Sequence, residues 1–185
     1  MASALQLAAA CRVLRAGGVI AYPTEAVWGL GCEPFDEQAV RRLLAIKQRD
    51  WRKGLIVIAA DVAQLRPYIG NVSEAQLQCA RDTWPGPNTW IVPAAPSVPE
   101  WVRGTHDSIA LRVTAHPVAA ALCRAWGGAL ISTSANIAAR APARTRVQIA
   151  ARLGGMLDGI VPGPLGDQKN PTSIRHLLTG KLLRS

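Results

Sequence analysis

The sequence lacks the closely spaced cysteines that form disulfide frameworks or zinc modules. Its four cysteines are far apart and include no C-x-x-C pair: Cys11, Cys32, Cys79 and Cys123. A long apolar run is missing too, because Arg12 and Arg15 interrupt the apolar stretch near the N-terminus, and no basic export segment precedes it. These absences predict a reduced, cytoplasmic protein without a membrane span.

Acidic residues are scarce. The chain has 12 Asp and Glu against 21 Lys and Arg, a formal net charge of +9. The few carboxylates are dispersed, which argues against an all-protein metal site. The three histidines share no spacing that would indicate a catalytic triad: His106, His116 and His176. The charge favours anionic partners such as nucleotide, phosphate or RNA, but a solvated basic surface explains the charge equally well.

Both standard phosphate-binding loops are absent. Gly29-Leu30-Gly31 begins like a dinucleotide loop, but Pro34 occupies the third glycine position, and no G-x-x-x-x-G-K-[ST] run occurs. A nucleotide would therefore have to be held by side chains. Lys47-Gln48-Arg49 offers two cations at the predicted end of a helix, where an Arg and a Lys suit a triphosphate. Cations there also complement the helix dipole, and that simpler explanation stays open.

The 185 residues, 49% of them hydrophobic, are enough for one sizeable core, so we expect a single domain over residues 1–185. Periodicity and capping residues predict a mixed α/β order of elements. Helices are predicted at 5–14, from Asp36 to 46, from Ser73 to near the Trp84-Pro85-Gly86-Pro87 turn, at 117–126 and at 147–153. Strands are predicted at 19–22, 55–58, 89–92, 108–113 and 129–131, with a terminal hairpin over 172–184.

The polar segment Ser132-Thr133-Ser134-Ala135-Asn136 directly follows the apolar run Ala129-Leu130-Ile131. Central strands often deliver ligand-contacting groups at their carboxyl ends, so this segment predicts a site for a polar, anionic ligand. Arg112 lies in an otherwise apolar strand, on the same face as Ser108 by the two-residue period. It is either an exposed strand residue or a bidentate clamp for a ligand carboxylate.

A segment of mixed character follows the first strand: Tyr22-Pro23-Thr24-Glu25-Ala26-Val27-Trp28-Gly29-Leu30-Gly31. Pro23 fixes the backbone, the glycines permit close approach, and Thr24 offers a hydroxyl to a small ligand. Two interpretations stay open for this segment. It is either a turn that lines a pocket or a tight connection from a strand to a helix.

Together these motifs have the order and spacing of one family. The chain closely resembles the YrdC/TsaC family of threonylcarbamoyl-AMP synthases, in its short, single-domain bacterial form, over residues 5–184. The resemblance rests on five features: Tyr22-Pro23-Thr24-Glu25 with Gly29-Leu30-Gly31, Lys47-Gln48-Arg49, Pro85-Gly86-Pro87 with Thr89, Arg112, and Ser132 to Asn136. It implies a YrdC-like α/β fold, a twisted mixed β-sheet flanked by helices, with a large basic cavity.

The resemblance also implies a reaction. L-threonine, bicarbonate or CO2, and ATP would give L-threonylcarbamoyladenylate, pyrophosphate and water, a nucleotidyl transfer. The product serves the N6-threonylcarbamoyl modification of adenosine 37 in tRNAs that read ANN codons. Mg²⁺ would be carried by the ATP rather than by a protein metal site, and a threonylcarbamoyl transferase complex would take up the product. Weak binding of tRNA itself stays open.

Site residues are carried over by position. Lys47 and Arg49 would be catalytic. Contacts to ATP would come from Lys47, Arg49, Ser108, Ser134, Asn136, Arg144 and Arg184. Contacts to threonine would come from Thr24, Arg112, Ser134 and Thr172. The chain departs from the family pattern at Ala138-Ala139, where Ser-Gly is usual, and at Asn88, where an apolar residue is usual.

Two other functions stay open on the sequence alone. The charge would also suit an RNA-binding module without catalysis, in which tryptophans stack on bases. However, Trp28, Trp84, Trp90 and Trp101 lie in apolar or turn segments and do not alternate with Lys or Arg, which favours core or pocket roles. The second alternative is a carbamoyl-transfer domain similar to the YrdC-like part of hydrogenase maturation proteins.

Overall fold

The computed structural model describes residues 2–168, 170 and 172–184. The helices are α1 (Ala4–Arg15), α2 (Glu37–Lys47), α3 (Glu74–Arg81), α4 (Glu100–Arg103), α5 (Pro117–Trp126) and α6 (Arg146–Leu153). The strands are β1 (Ile20–Pro23), β2 (Trp28–Gly31), β3 (Ile56–Ala59), β4 (Asn88–Pro93), β5 (Ser108–Val113), β6 (Leu130–Ser134), β7 (Gly159–Ile160), β8 (Ser173–His176) and β9 (Leu182–Arg184). Short 3-10 helices lie at Trp51–Lys53, Ala63–Tyr68 and Gly154–Met156.

Local capping explains where several helices begin. The Asp36 carboxylate accepts a hydrogen bond from the Ala39 amide at the start of α2. Ser73 and Gln76 form a reciprocal capping box at the start of α3, as their spacing predicts. The α5 helix begins with His116 as its cap and Pro117 in its first turn, where a missing amide proton costs nothing.

Across the described residues the strands form one mixed sheet, in the order β7-β1-β2-β6-β3-β5-β4-β8-β9. At its centre β3 pairs with β5 in parallel and with β6 in antiparallel fashion. Residues directly opposite each other share a face of the sheet. Two neighbouring rows on one face follow from the register: Arg112, Ile58 and Leu130 in the first, and Ala110, Ile56 and Ser132 in the second.

Helices cover the two faces of the sheet unequally. One face carries Val57, Leu111 and Ile131 and packs in the larger core cluster with residues of α2, α3 and α4. On the other face α1 and α5 cover Ile58 and Leu130, which belong to a second core cluster. The row next to these two residues is left partly uncovered, and this gap in the packing is where a ligand can reach the sheet.

The structure confirms the predicted mixed α/β fold and most of its elements. The predicted strand at 108–113 and helix at 117–126 have the predicted bounds, and the terminal hairpin is present as the antiparallel pair β8 and β9. The polar segment after Ile131 differs in part, because β6 continues to Ser134 instead of ending at the apolar run. The predicted end of α3 near Trp84 was wrong, since the helix stops at Arg81.

Of the two interpretations of segment 22–31, the structure favours the turn that lines a pocket, because Thr24, Ala26 and Val27 line a cavity. The segment does not lead to a helix: β1 and β2 form an antiparallel hairpin, and Trp28 to Gly31 is a strand. Gly31 allows close packing, since a Cβ there would lie 2.4 Å from the Ile131 carbonyl oxygen of β6 and 2.7 Å from the Tyr22 ring. The Tyr22 hydroxyl crosses β2 and donates to the Ile131 carbonyl of β6 at 2.9 Å. Glycines that normally indicate a turn therefore serve close packing here.

Candidate active site

A cavity of about 350 Å³ lies over the uncovered part of the sheet. This volume is in the range of small-molecule sites. Its floor includes Ile56, Ile91 and Ala110, which give the middle an apolar surface. Five cationic side chains line it: Arg49, Lys53, Arg103, Arg112 and Arg184. Among the described residues that line the cavity, none carries a carboxylate, so the cavity is basic, as the family resemblance implies.

The two ends of the cavity are set by strand β5. Ser108 and Arg112 both line it and lie four residues apart on one face of the strand, so their Cα atoms are separated by about 13 Å. We call the region around Arg112, Thr24 and Thr172 the deep end, because all three residues are buried. We call the region around Arg49, Lys53, Arg103, His106 and Ser108 the mouth, where Lys53 and His106 are exposed.

Arg112 at the deep end is held from two sides. Its Nη1 donates to the Thr172 hydroxyl at 2.9 Å, and its Nη2 lies 3.3 Å from Oε2 of Glu25. Both members of this ion pair are buried, at 5% and 6% exposure. Arg112 is therefore not an exposed strand residue, and the alternative of a buried cation facing a ligand is the one that fits.

Glu25 ties the β1–β2 turn to the junction between β5 and α5. Its Oε1 accepts hydrogen bonds from the Thr114 hydroxyl at 2.7 Å and from the Ala115 amide at 3.2 Å. Burial alone would raise the pKa of Glu25, but the nearby Arg112 charge and the Thr114 hydroxyl hold it below its usual value. The carboxylate is thus ionised and positions Arg112 from behind the cavity wall.

Arg184 lies next to this arrangement. Its Nη2 and Nε both donate to the Thr172 carbonyl, at 2.8 and 3.1 Å. Burial lowers the pKa of Arg184, and the positive charges of Arg112 and Arg49 lower it further. Arg184 therefore interacts with cations at both ends of the cavity, which fits a position between them.

The Lys47-Gln48-Arg49 motif turns at the end of α2. Gln48 adopts a left-handed backbone conformation that caps the helix, with φ at 51°. Arg49 then faces the cavity, and its Nη2 donates to the Gly54 carbonyl at 2.9 Å. Lys47 is buried and bonds instead to Ser134 and Asn136, while Ser134 itself lines the cavity. Burial, followed by the Arg49 charge, lowers the pKa of Lys47 to about 8.

Most of the residues carried over from the family are brought together. Seven of them line the cavity: Thr24, Arg49, Ser108, Arg112, Ser134, Thr172 and Arg184. Lys47 and Asn136 stand directly behind Ser134. Arg144 is not brought into the described lining; its backbone amide donates to the Gln148 side chain at the start of α6. The positions of the seven lining residues are compatible with their assignments, whereas Lys47, Asn136 and Arg144 lie outside the described lining; the role of each residue stays a prediction.

Four residues of the site were missed by sequence reasoning. Lys53, Arg103 and His106 line the mouth, and Glu25 supports Arg112. Lys53 and Arg103 lie in polar segments that are typical of a protein surface. The parallel pairing of β3 and β5 brings these two segments to the same opening. Glu25 did carry a signal, because a buried Arg in an apolar strand requires a counter-charge.

Both departures from the family pattern have a structural counterpart. Ala139 has a φ of 63°, a left-handed conformation that favours glycine and that the usual Ser-Gly would adopt without strain. Asn88 pairs with Ser173 across β4 and β8, and its Oδ1 accepts a hydrogen bond from the Ser173 hydroxyl at 2.8 Å. The polar residue at position 88 is therefore satisfied, whereas Ala139 is strained.

In residues 2–168, 170 and 172–184, no group of three or more His, Cys, Asp or Glu side chains is arranged to hold a metal ion. None of the helices in the same residues combines the length and apolar character needed to cross a bilayer.

Comparisons with known proteins agree with this geometry. A family model described as "Telomere recombination", for Sua5, YciO and YrdC, matches residues 12–185. A relative named threonylcarbamoyl-AMP synthase from Cellvibrio japonicus is 53% identical over 175 residues, covering 95% of this chain and 93% of that protein. The structure of P. abyssi Sua5 complexed with L-threonine has a TM-score of 0.90 at 29% identity, over 96% of this chain.

The chain spans about half of that Sua5 structure, 53% of its length. It matches the E. coli YciO structure more evenly, with a TM-score of 0.86 at 28% identity, over 98% of this chain and 88% of YciO. The matched region includes the β1–β2 hairpin, the end of α2 and the β6 strand that form the cavity. On the family model, the relative and the shared fold, the chain belongs to the Sua5/YciO/YrdC family.

Proposed function

We propose that this protein is an L-threonylcarbamoyladenylate synthase, a nucleotidyltransferase that condenses L-threonine, bicarbonate or CO2, and ATP. The observation that carries the proposal is one continuous cavity with a braced arginine at its deep end and a cluster of cations at its mouth. The first suits an amino acid carboxylate and the second a triphosphate. The synthase name of the 53% identical relative supports the same reaction.

Threonine belongs at the deep end in this proposal. A guanidinium braced on two sides is a fixed donor for a carboxylate, and the Thr24 and Thr172 side chains add small polar surfaces beside Arg112. The P. abyssi Sua5 structure was determined with L-threonine, which supports an amino acid site in this fold. The enclosed position would also keep water from the reacting carbamate.

ATP belongs toward the mouth, with its α-phosphate nearest the deep end. Arg49, Ser108 and Ser134 line that side, and Arg184 lies where it can bridge toward threonine. The open mouth leaves room for the β- and γ-phosphates beside Lys53 and Arg103. Arg144 would join the nucleotide from the segment before α6, and this assignment rests on the family resemblance alone.

The chemistry needs no covalent enzyme intermediate. The threonine amine adds to CO2 and loses a proton, giving a carbamate. A carbamate oxygen then attacks the α-phosphorus of ATP in line, the bond to the β-phosphate oxygen breaks, and pyrophosphate leaves with that electron pair. The cavity contributes by aligning two anions that would otherwise repel each other and by neutralising charge on the phosphates.

The remaining partners complete the proposal. The lining formed by the described residues offers cations and no carboxylate, so Mg²⁺ would enter as part of the ATP substrate and not in a protein site. The product would pass to a threonylcarbamoyl transferase complex for modification of adenosine 37 in tRNAs that read ANN codons, with at most weak binding of tRNA by this chain. We place these steps in the cytoplasm and in a single domain.

The test is pyrophosphate release from ATP by the purified protein. Release should require both L-threonine and bicarbonate, and labelled bicarbonate should enter a product that also contains threonine and AMP. Arg49→Met should weaken this release, with a KM for ATP raised on the order of tenfold, while the protein stays folded. Salt-sensitive binding of unmodified tRNA with no substrate-dependent turnover would instead support the RNA-binding module and overturn the proposal.

A further inference from the structure

We propose that Lys47 and Asn136 are positioning residues, which hold Ser134 and the end of β6 against α2 and do not contact the substrates. The roles of Ser134 and Arg49 in this proposal rest on the proposed function. The roles of Lys47 and Asn136 rest on hydrogen bonds within the protein.

The Lys47 ammonium has no donor left for a ligand. It carries three N–H groups. They meet three acceptors: the Ser134 carbonyl, the Asn136 carbonyl at 3.0 Å and the Asn136 side-chain oxygen at 3.2 Å. The side chain is 4% exposed and lies outside the described lining of the cavity. The ammonium group therefore binds the end of β6 and does not face the cavity.

Asn136 is saturated in the same way. Its Oδ1 accepts from the Lys47 ammonium and from the Ser134 hydroxyl, which uses both of its acceptor sites. Its Nδ2 donates to the carbonyls of Ile137 at 3.0 Å and Arg140 at 2.8 Å, which uses both donors. Asn136 therefore connects the Ser134 hydroxyl to the loop that follows β6.

Arg49 has the opposite character although it is two residues from Lys47. Its guanidinium has five donors, and it faces the cavity. One nitrogen is used on the Gly54 carbonyl, and the buried Nε has no hydrogen-bond partner within the described residues. A desolvated donor beside a cavity is a group that a bound anion would satisfy. Within the motif, Lys47 therefore acts as a clamp, by which we mean that it holds the end of β6 against α2, whereas Arg49 is available to contact a ligand.

A main-chain bond adds to the clamp. The Ala138 amide donates to the Lys47 carbonyl at 2.8 Å, so both the backbone and the side chain of Lys47 hold the segment after Ser134. The strained Ala139 comes next in the chain. Without the clamp, this segment would lose its attachment to α2, and the Ser134 hydroxyl would lose its fixed orientation.

Hydrogen exchange in the substrate-free protein separates a clamp from a contact. In Lys47→Met and Asn136→Ala, amides in residues 134–143 should exchange on the order of tenfold faster than in the parent, whereas β5 amides should not change. Ser134→Ala and Arg49→Met are matched controls, because neither removes the bonds from Lys47 to backbone carbonyls. They should lower activity without changing exchange in this segment.

Kinetics provide a measurement that a general loss of stability would not change. If Lys47 acts through Ser134, the double variant Lys47→Met/Ser134→Ala should lose no more kcat/KM for ATP than Lys47→Met alone. Should Lys47→Met fail to fold, Asn136→Ala carries both measurements.

Unchanged exchange in substrate-free Lys47→Met and Asn136→Ala, or additive losses in the double variant, would overturn the positioning role and make Lys47 a direct contact. Failure of the proposed function would give a different result, because the parent protein would form no threonylcarbamoyladenylate. Hydrogen exchange in residues 134–143 would still show whether Lys47 and Asn136 hold this segment.

Discussion

The deep end and the mouth of the cavity use positive charge in different ways. At the deep end Arg112 is paired with Glu25 inside the protein, so the pair is close to neutral and its geometry is fixed. At the mouth Lys53, Arg103 and His106 line the opening, and the described lining offers them no carboxylate. In the proposed function, the deep end would select its ligand by shape and hydrogen bonding, and the mouth would attract it by charge.

The largest expected effect comes from removing the arginine of the deep end. Arg112→Leu leaves the Glu25 carboxylate buried without its counter-charge, which should cost about 3–5 kcal/mol of unfolding free energy. Urea denaturation measures the change. Arg112→Leu combined with Glu25→Leu should recover part of the stability and none of the threonine-dependent activity. Equal stability of the parent and Arg112→Leu would show that the pair is not desolvated.

Glu25→Gln tests the same pair with its shape retained. It should cost about 2 kcal/mol, because Arg112 loses its counter-charge while the Thr114 contact can persist. The pKa of Glu25 is lowered from 4.5 in the fold, so the contribution of the carboxylate is complete above that value and is lost as the pH falls through the lowered pKa.

The parent and Glu25→Gln should therefore differ in stability at pH 7 and converge in strong acid. A difference that stays constant from pH 7 down to pH 2 would contradict an ionised Glu25. The KM for threonine should rise in Glu25→Gln more than the KM for ATP, since only the deep end is disturbed.

At the mouth, Arg49→Met should affect binding and not stability. Losing one charged hydrogen bond to phosphate corresponds to about 1.5 kcal/mol, or a KM for ATP raised on the order of tenfold. Thermal unfolding without substrate should stay close to that of the parent. A large loss of stability would mean that Arg49 is braced like Arg112, and the contrast between the two ends would fail.

The smallest predicted effect lies in the loop that follows β6. Ala139→Gly should stabilise the protein by about 1 kcal/mol, because glycine adopts the φ of 63° without a clash. Ala138→Gly is the matched control, since Ala138 lies outside the left-handed region and its replacement should give no gain. Thermal unfolding of the two variants, measured side by side, decides the point.

Much of the fold could be predicted from the sequence, because apolar runs and helix caps are local features of the chain. Apolar runs predicted β3 and β5, and the predicted caps at Asp36 and Ser73 lie at the helix starts that the structure shows. The β2 strand could not be predicted, since its Gly31 reflects close contact with the Ile131 carbonyl of β6 and the Tyr22 ring of β1. A contact between strands leaves no periodicity along either one.

The candidate site could be predicted from the sequence to a similar extent. The conjunction of short motifs indicated the family and the cavity-lining side chains Thr24, Arg49, Arg112 and Ser134. It could not distinguish Lys47 from Arg49, because both are cations in one motif. Only the fold shows that the ammonium of one is used up on carbonyl groups while the guanidinium of the other faces the cavity.

The sequence by itself determined the residue types, the order of the elements and the excess of positive charge, since composition and periodicity are properties of the chain. The tertiary structure decided which of those charges are paired, buried or open to a ligand. Those properties depend on distances between residues far apart in the chain, such as Glu25 and Arg112, and on how much of one sheet face the helices leave uncovered. Burial and pairing set the energy of a charge, and both arise only when the strands have been brought into register.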